Sequence, residues 1–284
     1  MRESSLPALD CRQPMPSRNA TLAGIGMMLL GILLFSLNDV MGKWLVATYT
    51  VGQLLLIRSA AALAVLAPFI VKQGLMRTLK PEKPGLQFVR AALGSVESGL
   101  FYLAVVYLPL ADTMTIWMAA PVWVVVLVGF VGVIVTLAPS GASLSMPALV
   151  ALLGSVLFAV LMIAGRYLRG TPDVTLVGWQ TFGTLLLGLG LIPFGWVTPT
   201  PLDFGLLALL GIVAMVAHLC VTRSLKLAEA SVVVPYQYTL IVWALVFGWL
   251  VFNDWPTPQM LAGAGLIVAA GLALIVMERR AGNP

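Results

Sequence analysis

The sequence predicts an all-α polytopic membrane protein with ten transmembrane helices, arranged as two inverted five-helix repeats. Three observations carry this expectation. The 284 residues are 60% hydrophobic and only 10% charged, with a mean hydropathy of +1.02, whereas soluble domains are about half apolar and about a quarter charged. The basic residues gather in alternate connections between apolar runs. Segments of the first half also match segments of the second, the mark of an internally duplicated architecture.

A membrane-crossing helix needs about 20 mostly apolar residues. Breaking the chain at its Pro, Gly and charge clusters predicts spans at 22–45, 51–71, 86–108, 111–127, 128–138, 147–168, 174–197, 203–223, 230–251 and 258–277. Residues 1–19 are polar, contain prolines and precede no small-residue cleavage site, so they read as a retained tail and not as a signal peptide. Lys72, Arg77, Lys80 and Lys83 lie between spans two and three, Arg166 and Arg169 after span six, Arg223 and Lys226 after span eight, and Arg279 and Arg280 after span ten. The opposite connections carry acids, Asp112, Asp203 and Asp254, and no Lys or Arg. Because basic loops stay on the cytoplasmic side, both termini are expected there.

The internal match fixes the domain organisation. "LGILLFSLNDVMGKWL" (30–45) aligns with "LGSVLFAVLMIAGRYL" (153–168), pairing Gly31 with Gly154, Phe35 with Phe158 and Lys43 with Arg166. "APF" (67–69) matches "IPF" (192–194), and "LPLA" (108–111) matches "LKLA" (225–228). Five spans per copy is an odd number, so the copies run in opposite directions: residues 20–138 form the first repeat and 139–284 the second with a short cytoplasmic C-terminus. Ala111 pairs with Ala228, whereas "GVIV" (132–135) pairs with "GLAL" (271–274) at a longer offset. The first repeat is therefore about 22 residues short. An additional stretch is expected between Leu127 and Val128, without which spans four and five are too short to cross.

Five-plus-five spans, "SLNDVMGKWL" in span one, and "AAPVW" and "VVPYQY" opening spans four and nine together resemble the drug/metabolite transporter superfamily. The likeness is to its ten-helix EamA-type exporters, similar to the bacterial aromatic amino acid exporters, and it covers the chain from about residue 20. The resemblance implies alternating access in a bacterial inner membrane, through a central cavity between the repeats lined by spans one, three, four, six, eight and nine. It also implies substrates drawn from amino acids, nucleotide-sugar-like metabolites and S-adenosylmethionine.

Ionisable residues within spans cost about 2.5 to 3.5 kcal/mol each on insertion scales, so each should face a partner or a wet cavity. Asp39 and Lys43 are four residues apart and share a helix face, and Arg58 in span two lies at a similar depth. The trio reads either as an ion-pair network tying spans one and two or as a gate whose pairing changes between states. Lys43 with Trp44 also reads as an interfacial helix end. Asn38, beside Asp39, is a candidate substrate ligand, and Met162 is the residue that the second copy puts in place of Asp39. Glu97, in "GSVESGLFY" with Tyr102, is the leading candidate for binding a substrate amine or for proton coupling, flanked by small residues that permit a wet cleft. His218, the one histidine, suits a proton relay, although its position toward the cytoplasmic end of span eight favours a structural role. Trp117, Tyr236 and Tyr238 complete the candidate substrate-binding set, with Pro121 and Pro235 able to loosen their helices.

Other chemistries find no support. Cys11 and Cys220 lack disulfide or metal spacing, the glycine runs lack the Lys-Ser/Thr of a phosphate loop, and no catalytic constellation surrounds the single histidine. No enzyme activity, metal, cofactor or nucleic-acid partner is expected, and the positive net charge of +5 is assigned to topology. The expected partners are the bilayer and a small-molecule solute, and one ten-helix chain forms a complete pathway as a monomer. The leading reading is export of amino acids or similar amphipathic metabolites. Its alternatives are an uptake carrier for S-adenosylmethionine or a related cationic metabolite, and, from a different class, an intramembrane enzyme or assembly factor.

Overall fold

The computed structural model describes residues 18–118, 145–168, 170–228 and 230–255, with scattered positions between 258 and 269; the side chains at 162, 163, 166, 230 and 231 lie outside the description. In chain order the helices are α1 (Arg18–Val46), α2 (Val51–Gln73), the short α3 (Leu75–Leu79), α4 (Pro84–Tyr107), α5 (Leu110–Trp117), α6 (Met146–Tyr167), α7 (Asp173–Leu191), α8 (Pro201–Leu227), α9 (Ala230–Val233) and α10 (Thr239–Phe252). A 3-10 turn, Ile192–Phe194, extends α7, and a second, Val234–Tyr238, joins α9 to α10. Among the described residues six stretches are long and apolar enough to cross a membrane: α1, α2, α4, α7 with its turn, α8 and Val234–Phe252. The described residues are all-helical, without strands, and those between 258 and 269 are helical too. Span five and the expected extra stretch near 127–128 lie outside the described residues.

Composition and capping explain these limits. Large apolar side chains such as Leu30, Phe69, Leu186 and Leu250 face outward, which is tolerable only where the surroundings are hydrocarbon. Thr50 caps α2 by accepting from the Gln53 amide at 3.4 Å, and Thr200 caps α8 by accepting from that of Asp203 at 3.1 Å. Gly74, at φ 101°, closes α2 with its N–H on the Ile70 and Val71 carbonyls. Proline acts differently in the two halves: Pro68 stays inside α2, whereas Pro193 sits in the 3-10 turn that ends α7. Pro235 likewise converts the start of span nine into a 3-10 turn, because it offers no N–H to the α-helical ladder.

The helices pack as a set of close crossings. α1 lies along α8, α4 along α6, and α2 lies between α7 and α8, while α7 also meets α4. Small residues permit these approaches. A Cβ on Gly31 would stand 2.8 Å from Val221, one on Gly94 would stand 2.8 Å from Gln180, and one on Gly188 would stand 2.5 Å from the Leu56 amide nitrogen. At Gly211 the added atom would overlap the Arg58 carbonyl. That crossing fixes the height of Arg58 relative to α8.

The two ends of the bundle differ chemically. At one end Tyr49 donates to Asp203 at 2.7 Å, Gln53 exchanges bonds with the Val197 backbone at 2.6 and 3.0 Å, and Lys43 pairs with Asp254 at 3.2 Å. The Asp203 carboxylate raises the Tyr49 phenol above its ordinary pKa. At the other end Lys226 pairs with Asp173 at 2.6 Å, Lys83 donates to the Tyr167 carbonyl at 3.4 Å, and Trp179 donates to that of Thr78 at 2.7 Å.

Gly211→Ala is expected to destabilise the protein at the upper end of the about 1 to 3 kcal/mol typical of overpacking, since backbone and not a flexible side chain must yield. Gly205→Ala, which meets nothing within 4 Å, is expected to be neutral. Thermal unfolding of the two variants in detergent checks the contrast.

Candidate functional site

Most of the polar residues singled out from the sequence converge on one cavity of about 160 Å³ at the centre of the bundle. Asn38 and Asp39 reach it from α1, Arg58 from α2, Glu97 and Tyr102 from α4, Trp117 from α5 and His218 from α8. Their helical spacing turns each inward while apolar neighbours face out. Phe35, Phe101 and Phe158 supply aromatic walls, and His218 meets Phe35 edge-on with ring centroids 4.7 Å apart. The wall is thus largely apolar with a few convergent polar groups, the usual make-up of a small-molecule site.

The two carboxylates are held by neutral donors. Trp117 donates its indole N–H to Glu97 at 2.7 Å, and Ser98 donates to the other oxygen at 3.4 Å. Asn38 donates to Asp39 at 3.1 Å. Arg58 donates to the Tyr102 hydroxyl at 2.6 Å, with its guanidinium 5.1 Å from that ring's centroid, and Asn38 donates to the same hydroxyl at 3.1 Å. Asp39, Arg58 and Glu97 are each at least nine-tenths buried, at 7, 9 and 9% exposure, yet no ion pair joins them among the described residues. Three ionisable groups around one cavity, without direct pairing, leave charge that only a solute or water can meet.

Tyr102 closes the cavity toward the acidic end. Its side chain is 1% exposed, and its ring fills the space a Cβ on Gly42 would need. Beyond it stand the bonds of Lys43, Tyr49 and Gln53. Toward the basic end the cavity continues past His218 and Gln237 into a second chamber.

Several expectations change in detail. The trio of Asp39, Lys43 and Arg58 is not one network: Lys43 reaches one turn further out, to Asp254, and lies 4.7 Å from the Phe252 ring. His218 lines the cavity instead of marking a helix end. Tyr236 and Tyr238 pack into the core and do not line it; Gln237 does, because the Pro235 turn points it inward. The Met162 side chain lies outside the described residues. Gln237, Phe35 and Phe101 were missed, although the broken-helix segment "VVPYQY" was a signal that could have flagged Gln237.

An all-helical membrane bundle enclosing an acid-containing, aromatic-walled cavity defines a membrane transporter. Residues 145–277 match the EamA-like transporter family. The protein of Rickettsia conorii named S-adenosylmethionine uptake transporter is 27% identical over 285 aligned residues, which cover 92% of this chain and 95% of that protein. The pseudopaline exporter CntI of Pseudomonas aeruginosa is 26% identical over 89% of this chain and 95% of its own. The riboflavin transporter of Rhizobium johnstonii is 27% identical over 93 and 94%. A solved crystal structure of a protein 18% identical, covering 91% of this chain and 97% of that one, superposes with a TM-score of 0.64 and shares the fold. The chain thus resembles the EamA-like transporters, through residues 145–277 in the family match and along nearly its whole length in these relatives. None of these relatives bears the name of an aromatic amino acid exporter.

Tyr102→Phe removes the shared acceptor of Arg58 and Asn38. Leaving buried donors unmet costs about 1 to 3 kcal/mol, so the variant is expected to melt earlier than wild type in detergent. An unchanged melting temperature would show that water replaces the hydroxyl without loss.

Proposed function

We propose that this protein is a secondary carrier for a small, positively charged metabolite bearing an amino-acid moiety, and that S-adenosylmethionine is the solute it fits best. One observation carries the reading: the central cavity sets two buried carboxylates, Asp39 and Glu97, against one guanidinium, Arg58, within aromatic walls. S-adenosylmethionine has two positive centres, an ammonium and a sulfonium, and an aromatic base. Two acids match the first pair, and Phe35, Phe101, Trp117 and Phe158 offer faces and edges to both the base and the cations. The name of the Rickettsia conorii relative supports the same solute. A neutral amino acid, the expectation from sequence alone, would engage one acid and leave the other without counter-charge.

Transport proceeds by alternating access between two inverted repeats of five spans, without catalysis. Helix pairing supports the repeat: exchanging the halves turns the α1–α8 contact into α6–α4, and α2–α8 into α7–α4, and all four occur. The close crossings obey the same exchange. Gly94 and Gly211 fall on the offset that relates Ala111 to Ala228, and they meet α7 and α2 respectively. The alignment with the Rickettsia conorii protein runs over 285 positions while taking in 92% of this chain. It therefore crosses positions that this chain skips, as a chain shorter than its relative by one internal stretch would.

The basic end, with Lys83 and Lys226, is assigned to the cytoplasm and the acidic end, with Asp203 and Asp254, to the outside. Both termini are then cytoplasmic in the inner membrane. On this assignment Tyr102 and the Lys43–Asp254 bridge lie on the outer side of the cavity and the second chamber on the cytoplasmic side. Reporter fusions to the N- and C-termini that are active only in the cytoplasm should both be active; a periplasmic signal from either would overturn the orientation.

The decisive test is uptake of labelled S-adenosylmethionine and of a neutral amino-acid panel into proteoliposomes. Saturable S-adenosylmethionine transport is expected, lowered about tenfold or more by Glu97→Gln and by Asp39→Asn, a loss typical of removing one buried charge partner. Transport of neutral amino acids with S-adenosylmethionine excluded would sink the proposal and return the exporter reading.

A further inference from the structure

A second chamber of about 180 Å³ lies between the central cavity and the basic end, joined to the cavity at Phe158, His218 and Gln237. Its charge is opposite to that of the central cavity. Arg90 and Lys226 line it, and among the described residues no Asp or Glu does. Lys226 is already paired, with Asp173 at 2.6 Å and the Thr171 carbonyl at 3.0 Å. Arg90 is not.

Arg90 sits six residues along α4 from Pro84, about 9 Å into the helix at 1.5 Å per residue. One Nη donates to the Leu176 carbonyl at 3.3 Å, its Nε is buried without a partner, and among the described residues no carboxylate comes within 4 Å of it. Two amides share the chamber wall, Gln180 from α7 and Gln237 from the Pro235 turn. They are 6 and 7% exposed, and neither side chain hydrogen-bonds another described residue. A membrane-embedded arginine normally has a counter-charge, and buried amides are normally satisfied. All three residues line one chamber.

We propose that this chamber is a second binding station, which takes the carboxylate of the solute on Arg90 with Gln180 and Gln237 as supporting donors. A guanidinium matches the two oxygens of a carboxylate in a way an ammonium does not. The central cavity holds the positive part of the solute, and the chamber holds its negative part during passage to or from the cytoplasmic side. The inference rests on the carrier reading but not on which amino-acid-bearing solute is carried.

The test is ligand binding to the purified full-length protein in detergent, by calorimetry, with matched pairs: L-methionine against its methyl ester, and S-adenosylmethionine against its decarboxylated form. Wild type is expected to favour the carboxylate member of whichever pair it binds by about tenfold, the scale of one charge-assisted hydrogen-bonded pair. Arg90→Gln should abolish that preference. Arg90→Lys, which keeps the charge and loses the fork, should narrow it to about threefold with an unchanged melting temperature, so a folding failure of the glutamine variant does not decide the matter. Glu97→Gln should weaken both members of a pair equally and keep the preference. A preference unaltered in the Arg90 variants, or absent from wild type for both pairs, overturns the station. Methionine binding with an Arg90-dependent preference and no S-adenosylmethionine binding would uphold the station while removing the proposed solute.

Discussion

The hydrocarbon interior offers no partner to a charge, and the arrangement of this protein follows from that constraint. Asp39, Arg58 and Glu97 come from three helices and are each at least nine-tenths buried. They are tolerable only because the bundle turns them onto one shared space and supplies fixed dipoles around it. Trp117 holds Glu97, Asn38 holds Asp39, and Tyr102 accepts from Arg58. These neutral contacts position the ionisable groups without cancelling them. A direct ion pair would be easier to bury, but it would leave less charge for a solute to meet.

Close helix crossings make that space possible. Gly211 lets α8 touch the α2 backbone at Arg58, and Gly94 lets α4 approach Gln180 on α7. Each crossing brings two helices together at one height and lets them diverge elsewhere, so packing without hydrophobic drive still encloses a cavity. The proline break at 234–238 adds another device. By replacing a turn of α-helix with 3-10 geometry it turns Gln237 inward and buries Tyr238, reversing the roles that aromatic composition alone would assign.

Polarity is graded along the pathway as well as across it. Among the described residues the central cavity has two acids to one arginine, and the adjoining chamber has arginine and lysine with no acid. A zwitterionic solute is a dipole, and opposite fields a helix turn or two apart orient it. At the acidic end Tyr102 packs against Gly42 and Lys43 bridges to Asp254. Transport direction is a separate property, set by gradients and by the relative stability of the two states.

The sequence alone determined the membrane class, the all-helical architecture and the identity of most polar cavity residues. Hydropathy runs and isolated ionisable residues are local signals, and the bilayer makes them unambiguous: a charge in an apolar run must turn inward. Asn38, Asp39, Arg58, Glu97, Tyr102, Trp117 and His218 were legible for this reason, and all line the cavity. Partner choice was not legible. The four-residue spacing of Asp39 and Lys43 suggested a shared network, but the length of the lysine side chain and the place where α10 ends send it to Asp254. Gln237 and Arg90 became candidates only when the fold showed which face of a broken helix points inward and which buried donors lack acceptors. Those facts depend on the relative rotation and height of helices far apart in the chain, which close packing decides and one-dimensional periodicity does not encode.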